Sequence, residues 1–277
     1  MKRMHISFEV FPPKKEGDFE QAFEIVRTLS EYNPKYISVT YGAGGSKSKK
    51  TLDIASYIQK ECRTSAVAHL TCVGSTRKEI LARCKELKEH NISYVLALRG
   101  DRPKDMSDQQ FNSREFAYAM DLIAFLKENS SLAIMASCYP EKHVESNSIE
   151  EDLYYMKEKQ NLGVKSFISQ MFFDNELFYD FMDKAAAKGI SVPIHAGIMP
   201  VTSAKQLGTS VSLSGCSVPK KLADVIARYG ANSADMRKAG IEYATKQIEG
   251  LKRQGVAGVH IYTMNKPEVA AEMIRSL

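Results

Sequence analysis

Eight short β-rich runs, separated by amphipathic helical stretches at a spacing of about 30 residues, limit what this chain can fold into more than any other feature. The runs fall near 5–11, 36–42, 66–72, 94–100, 133–139, 166–172, 192–198 and 259–264. Each is continuously apolar rather than strictly alternating, as in strands covered on both faces. Between them, Phe19, Ala22, Phe23 and Val26 recur at helical spacing. So do Ile80, Cys84 and Leu87; Phe116, Ala119, Met120 and Ile123; Phe178, Phe181, Met182 and Ala185; and Ile241, Ala244, Ile248 and Leu251. Thr76 with Glu79, and Ser148 with Glu151, read as capping boxes that open two helices.

Parallel strands need helical crossovers, and eight strand–helix units are the number that closes a barrel. The expected fold is therefore α/β: one (β/α)8 TIM barrel over residues 1–277, undivided by any Pro-, Gly- or Ser-rich linker. The longer gap before the eighth strand has room for two or three extra helices, with a loop at Gly208–Pro219. An open doubly wound sheet is the alternative. It is disfavoured because FEVFPPKK, not a GxGxxG turn, follows the first strand.

The charge balance, 38 Lys and Arg against 33 Asp and Glu, is mildly basic. It suits an anionic small molecule and gives no reason to expect nucleic acid. Lys47, Lys49 and Lys50 read as a solvated turn, with steering of an acidic substrate as the other reading. No run approaches the ~18 apolar residues of a membrane span. The N-terminus lacks a signal-peptide pattern, and the five cysteines form no CxxC. Reduced thiols and a cytoplasmic location are expected.

Barrel chemistry gathers at the C-terminal strand ends. Those ends carry Glu9, Thr40 and Tyr41, His69, Arg99 and Asp101, Tyr139 with His143, Gln170, and Tyr262 with Asn265. Glu9 lies in the apolar ISFEVF, a setting that raises a carboxyl pKa and suits a general acid. The other reading is an inward Glu paired with a cation such as Arg99. Gly100 permits close backbone approach, and Arg99 suits a phosphate or carboxylate. No HxH marks the first strand, so no metal is expected. Lys165 stands at the wrong end of its strand for Schiff-base chemistry. GAGGSKSKK fails the GxxxxGK[ST] phosphate-loop pattern.

FEVFPPK, SVTYGAGG, AHLTC, ALRGD, YPEKH, QMFFD, GIMPVTSAKQ and HIYTMNK occur in this order from about residue 6 to residue 267. Together they resemble the 5,10-methylenetetrahydrofolate reductase family, in its short bacterial type without a C-terminal regulatory domain. The resemblance implies an FAD-dependent barrel in which NADH or NADPH reduces the flavin and leaves. Methylenetetrahydrofolate then takes the hydride in the same site, a ping-pong scheme that yields 5-methyltetrahydrofolate. It implies Glu9 as the catalytic acid and Asp101 as a catalytic residue beside flavin and pterin. The FAD positions it implies are Tyr41, Ala43, His69, Arg99, Gly100, Asp101, Tyr139, His143, Asp152 and Lys159. Thr40, Asp101, Gln170, Gln206 and Lys266 match contacts to folate or nicotinamide. Lys266 stands where relatives often carry Arg, so a point charge replaces a bidentate fork. Glu158, Tyr155, Met171 and Ser210 also depart from the pattern. A homo-oligomer, or a barrel subunit that takes electrons from a partner protein, remains open on the sequence.

Overall fold

The computed structural model describes residues 4–13, 19–41 and 45–277, apart from the side chains of residues 45–48 and 213. Eight parallel strands close on themselves in chain order. They are β1 (His5–Val10), β2 (Ile37–Val39), β3 (Ala66–Thr71), β4 (Tyr94–Leu98), β5 (Ala133–Cys138), β6 (Ser166–Ser169), β7 (Ile194–Ile198) and β8 (Gly258–Tyr262). β1 pairs with both β2 and β8, which shuts the ring. The expected (β/α)8 barrel is observed.

Helices pack around it: α1 (Phe19–Ser30), α2 (Gly45–Lys60), α3 (Arg77–Glu89), α4 (Asp108–Asn112), α5 (Ala119–Asn129), α6 (Ile149–Asn161) and α7 (Asn175–Ala187). Three helices then fill the gap between β7 and β8: α8 (Ala204–Ser214), α9 (Lys220–Tyr229) and α10 (Ser233–Arg253). The chain ends in α11 (Pro267–Arg275). No helix among the described residues is long and apolar enough to cross a membrane.

Three local readings need correction. Gly208 lies inside α8, so the loop is shorter than Gly208–Pro219; it begins at Gly215, whose φ of +70° ends the helix. Phe116 is fully buried but precedes α5, because the Asp121 carboxylate accepts hydrogen bonds from the Ala117 and Tyr118 amides and starts the helix later. Thr76 and Glu79 form a complete capping box. Ser148 accepts from Glu151 N, but the Glu151 carboxylate turns to Asn147 N instead of closing the box.

Two layers of core follow from strand alternation. Outward residues such as Phe8, Val39, Leu70, Ala97, Phe167 and Ile261 meet the helices in the main core. Inward residues Tyr36, Val67, Leu96, Met135 and Ile168 pack as a separate cluster inside the barrel. Each large side chain so buried contributes about 1.5–3 kcal/mol. A third cluster, including Phe173, Met199, Leu207, Leu222 and Met236, seats α8, α9 and α10 beside the C-terminal strand ends.

Gly240 sets how closely α10 approaches the β7–α8 loop. A Cβ there would lie 1.8 Å from the Val201 carbonyl oxygen. In an unconstrained helix, Gly→Ala stabilises by up to ~1 kcal/mol. Gly240→Ala is expected to destabilise by about 1–3 kcal/mol through overpacking, read as a lower urea midpoint; an unchanged or higher midpoint would contradict this packing.

Candidate active site

Glu9 is the penultimate residue of β1, and its carboxylate points into the barrel toward two imidazoles. His69 Nε2 from β3 lies 3.4 Å from Glu9 Oε2, and His260 Nε2 from β8 lies 3.7 Å from it. The Glu9 side chain is 21% exposed, while His69 is at 8% and His260 at 0%. Burial by itself raises the carboxyl pKa. The close approach of His260 and His69 and their charge outweigh it and pull the group down to about 2. The sequence-based expectation of a raised pKa is therefore overturned for the open barrel. The neighbours in sequence are apolar, but they face the helices; the neighbours across the sheet are imidazoles. Arg99 is not the partner of Glu9 either.

The segment after β1 is held by side chains just past β8. Thr263 Oγ1 donates to Glu9 O at 2.7 Å. The Asn265 side chain accepts from Phe11 N at 3.0 Å and donates to Phe11 O at 2.8 Å. Asn265, noted as a strand-end polar group, thus spends its amide on the chain itself. Across the mouth, the Tyr262 hydroxyl donates to Ser169 O at 2.7 Å. Gly197 makes room for it, since a Cβ there would meet the Tyr262 hydroxyl at 2.8 Å.

After β4, Gly100 adopts φ +85°, and a Cβ would lie 2.9 Å from Val73 Cγ1. The close approach is to the chain's own β3–α3 segment. Arg99 is forked onto Glu145, with Nη2 donating to Oε1 at 2.8 Å and Nη1 to Oε2. This lowers the Glu145 pKa and raises that of Arg99. Asp101 follows Gly100, is exposed, and makes no hydrogen bond or ion pair among the described residues.

The β5–α6 segment holds four of the predicted positions together. The Tyr139 ring meets His143 edge-on at 4.7 Å, and its hydroxyl lies 3.3 Å from Ser137 Oγ. His143 Nδ1 accepts from Glu145 N, which leaves the ring proton on Nε2. Burial lowers the His143 pKa and raises that of Tyr139. His143 N donates to Asp152 Oδ2 at 2.6 Å. Lys159 shares the α6 face with Asp152 and acts on the same Cys138. Its pKa is lowered by burial, and it has no ion pair among the described residues.

The remaining positions are more dispersed. Thr40 N donates to Val10 O, and Thr40 O accepts from Thr51 Oγ1. The Arg83 guanidinium sits 5.0 Å from the Tyr41 ring centre. Gln170 Oε1 accepts from Met171 N at 2.9 Å. Gln206 is fully engaged: its Oε1 accepts from Thr202 N and Oγ1, and its Nε2 donates to Pro200 O. It anchors the start of α8, so contact with a substrate would require it to turn out. Lys266 Nζ lies 3.4 Å from Thr202 Oγ1 and joins β8 to that same loop. Ala43 falls outside the described residues, as does the Lys47 side chain. Lys50 Nζ donates to Pro13 O, so this member of the cluster braces the first loop.

His260 and its partners Ser7 and Ser38 were not singled out from sequence. Ser7 Oγ lies 2.8 Å from His260 Nδ1, and Ser38 Oγ lies 3.2 Å from Nε2. The signal was the two-residue period: Ser7 and Glu9 share a face of β1, as His260 and Tyr262 do on β8.

The methylenetetrahydrofolate reductase family model matches residues 1–277. The chain belongs to that family. It is accordingly an oxidoreductase. It is 32% identical over 275 residues to the 5,10-methylenetetrahydrofolate reductase of Pectobacterium carotovorum subsp. carotovorum, covering 99% of this chain and 90% of that one. It is 30% identical to the enzyme of the same name from Escherichia coli K12, covering 99% and 91%. Among solved structures, a Clostridium thermocellum protein that binds two copies of 5-methyl-5,6,7,8-tetrahydrofolic acid superposes with TM-score 0.61 at 16% identity, covering 98% and 93%. That likeness speaks to the fold.

The Glu9 pairing has a pH signature. An unperturbed carboxyl titrates near 4.5, and folded Glu9 near 2. Its stabilisation is therefore complete above 4.5 and fades as pH falls toward 2. The unfolding free-energy gap between the protein and Glu9→Gln is expected to narrow by about 2–3 kcal/mol across that window; a gap independent of pH would contradict the pairing.

Proposed function

We propose that this chain reduces methylenetetrahydrofolate to methyltetrahydrofolate at the C-terminal mouth of the barrel, with FAD as cofactor and NADH or NADPH as reductant, in two successive half-reactions. The observation that carries the reading is a carboxylate inside the barrel, held by two imidazoles at the end of β1.

The residues present fit FAD. Lys159 is a half-buried cation with no ion pair among the described residues, a setting that favours an anionic group such as a pyrophosphate. Asp152 on the same helix face suits ribose hydroxyls. Tyr139, His143 and Tyr41 offer flat surfaces and ring nitrogens, and Gly100 and His69 stand at neighbouring strand ends. Ala43 enters by the family pattern alone. Arg99 joins the site by exchanging Glu145 for a ligand oxyanion. When bound, FAD would supply the hydride carrier between nicotinamide and folate.

The chain's own work is acid catalysis and positioning. The imidazolidine ring of the substrate must open before its one-carbon unit can accept a hydride. Protonation of the departing nitrogen by Glu9 assists that opening. In the open barrel the two histidines keep Glu9 ionised. Covering the mouth removes the remaining water from the carboxylate, which favours its neutral, proton-bearing form. Asp101, exposed and unpaired, is available for the amino-pyrimidine edge of the pterin. Gln170 keeps its amide nitrogen for a ligand, since only Oε1 is used internally. Thr40 lies at the β2 end, toward the nicotinamide. Lys266 and Gln206 flank the Thr202 loop, where a folate carboxylate would find a cation.

Anaerobic stopped-flow on FAD-reconstituted protein separates the two steps. NADH is expected to bleach the flavin, and methylenetetrahydrofolate to restore its colour. In Glu9→Gln, bleaching should persist while folate-driven recovery falls by about 10²–10⁴. A protein that takes up no FAD, or equal loss of both steps, would contradict the reading.

A further inference from the structure

A cavity of about 10 Å³ lies beside the barrel mouth, between the loop after β5, the residue after β6 and the end of α8. Glu141, Gln170 and Ser214 are polar side chains that line it. Glu141 Oε2 accepts from Ser217 N at 2.9 Å and so ties the β5–α6 loop to the segment after α8. Glu141 Oε1 is buried and has no hydrogen-bond partner among the described residues. Gln170 is folded back on its own chain, with Oε1 accepting from Met171 N at 2.9 Å. Its backbone is held as well: Gln170 N donates to Cys138 O at 2.7 Å, and Gln170 O accepts from Ser169 Oγ at 2.9 Å. Its amide nitrogen makes no hydrogen bond among the described residues.

A buried carboxylate oxygen is costly to leave unpaired. Room of this size is that of one water molecule, provided two to four polar partners meet it. The other polar groups nearby are largely spent. Ser214 Oγ gives its proton to Ser210 O at 2.8 Å or Cys216 Sγ at 3.0 Å, and accepts from Cys216 N at 3.3 Å. A hydroxyl oxygen keeps one lone pair beyond that. Lys142 Nζ turns away to Ser146 O at 2.8 Å. Three unspent capacities remain around the cavity: the Glu141 Oε1 acceptor, the Gln170 amide donors and one Ser214 Oγ lone pair. They match the hydrogen bonds of a single water.

We propose that Glu141 is a positioning residue for Gln170, acting through one water molecule held in this cavity. The water accepts from one Gln170 N–H and donates to Glu141 Oε1 and Ser214 Oγ. Met171 N holds the oxygen end of the same amide. With both ends held, the amide does not turn over, and its second N–H is left for a ligand. A ligand atom that meets Gln170 is therefore an acceptor, such as a pterin ring carbonyl or the carboxamide oxygen of a nicotinamide. Contact between Gln170 and folate rests on the function proposed above; the bridge from Glu141 to Gln170 does not.

A crystal structure of the full chain is expected to show one water within hydrogen-bond distance of both Glu141 Oε1 and Gln170 Nε2. A cavity without water, or a water that does not touch both groups, overturns the proposal. Glu141→Gln keeps an oxygen for Ser217 N and turns an N–H toward the cavity, so the tether survives while the acceptor is lost. In FAD-loaded protein, flavin absorbance reads the Kd for 5-methyltetrahydrofolate. Glu141→Gln is expected to raise it about 5–10-fold, the weight of one hydrogen bond. In a Gln170→Leu background the same substitution should change it by less than about twofold. An equal factor in both backgrounds makes Glu141 merely structural and overturns the proposal, as does parent affinity in Glu141→Gln. Parent affinity in Gln170→Leu alone would instead remove Gln170 from the folate site, and the crystallographic water then still decides the role of Glu141.

Discussion

A carboxylate enclosed by a ring of strands depends on what faces it across the sheet, and here two imidazoles do. Glu9, His69 and His260 come from β1, β3 and β8, which only closure of the barrel brings together. An isolated carboxylate in such a place would be costly to ionise. With His260 beneath it and His69 beside it, the charged form is the stable one in the open barrel. An acid role for Glu9 would require the mouth to be covered first.

The groups around the mouth divide their work between holding the chain and leaving atoms free. Asn265 and Thr263 clamp the segment after β1, Gln206 anchors α8, and Asp152 ties down the β5–α6 loop. Arg99 is neutralised by Glu145, an exposed partner whose loss costs little, since such pairs are worth ~0–1 kcal/mol. Asp101, Lys159 and the Gln170 amide nitrogen make no such bond among the described residues. The order of these segments comes from side-chain hydrogen bonds to the backbone.

Most of the architecture was legible in the sequence because periodicity reports burial directly. Eight apolar runs at regular spacing became eight strands, and three helices filled the gap before β8. Details that rest on a single side-chain hydrogen bond were not legible. The Asp121 carboxylate moved the start of α5, and Glu151 chose Asn147 over its expected partner. The residues at the strand ends were singled out because chemistry on this fold gathers there. What linear sequence hid was their partners. Glu9 was read from its neighbours Phe8 and Val10, which face the helices, whereas His260 stands 251 positions away in sequence (260 less 9) and in contact range in space. Tyr36 and His195, 159 positions apart in sequence, are stacked only by the closed barrel.

The ionisation state of Glu9 tests the account most directly. Difference infrared spectroscopy on FAD-loaded protein, with and without bound folate, reads the carbonyl stretch of a protonated carboxyl. The account predicts that this band appears only when folate covers the mouth, and is missing from Glu9→Gln. A carboxylate that stays ionised in the folate complex, or one already protonated at neutral pH in the open barrel, would contradict it.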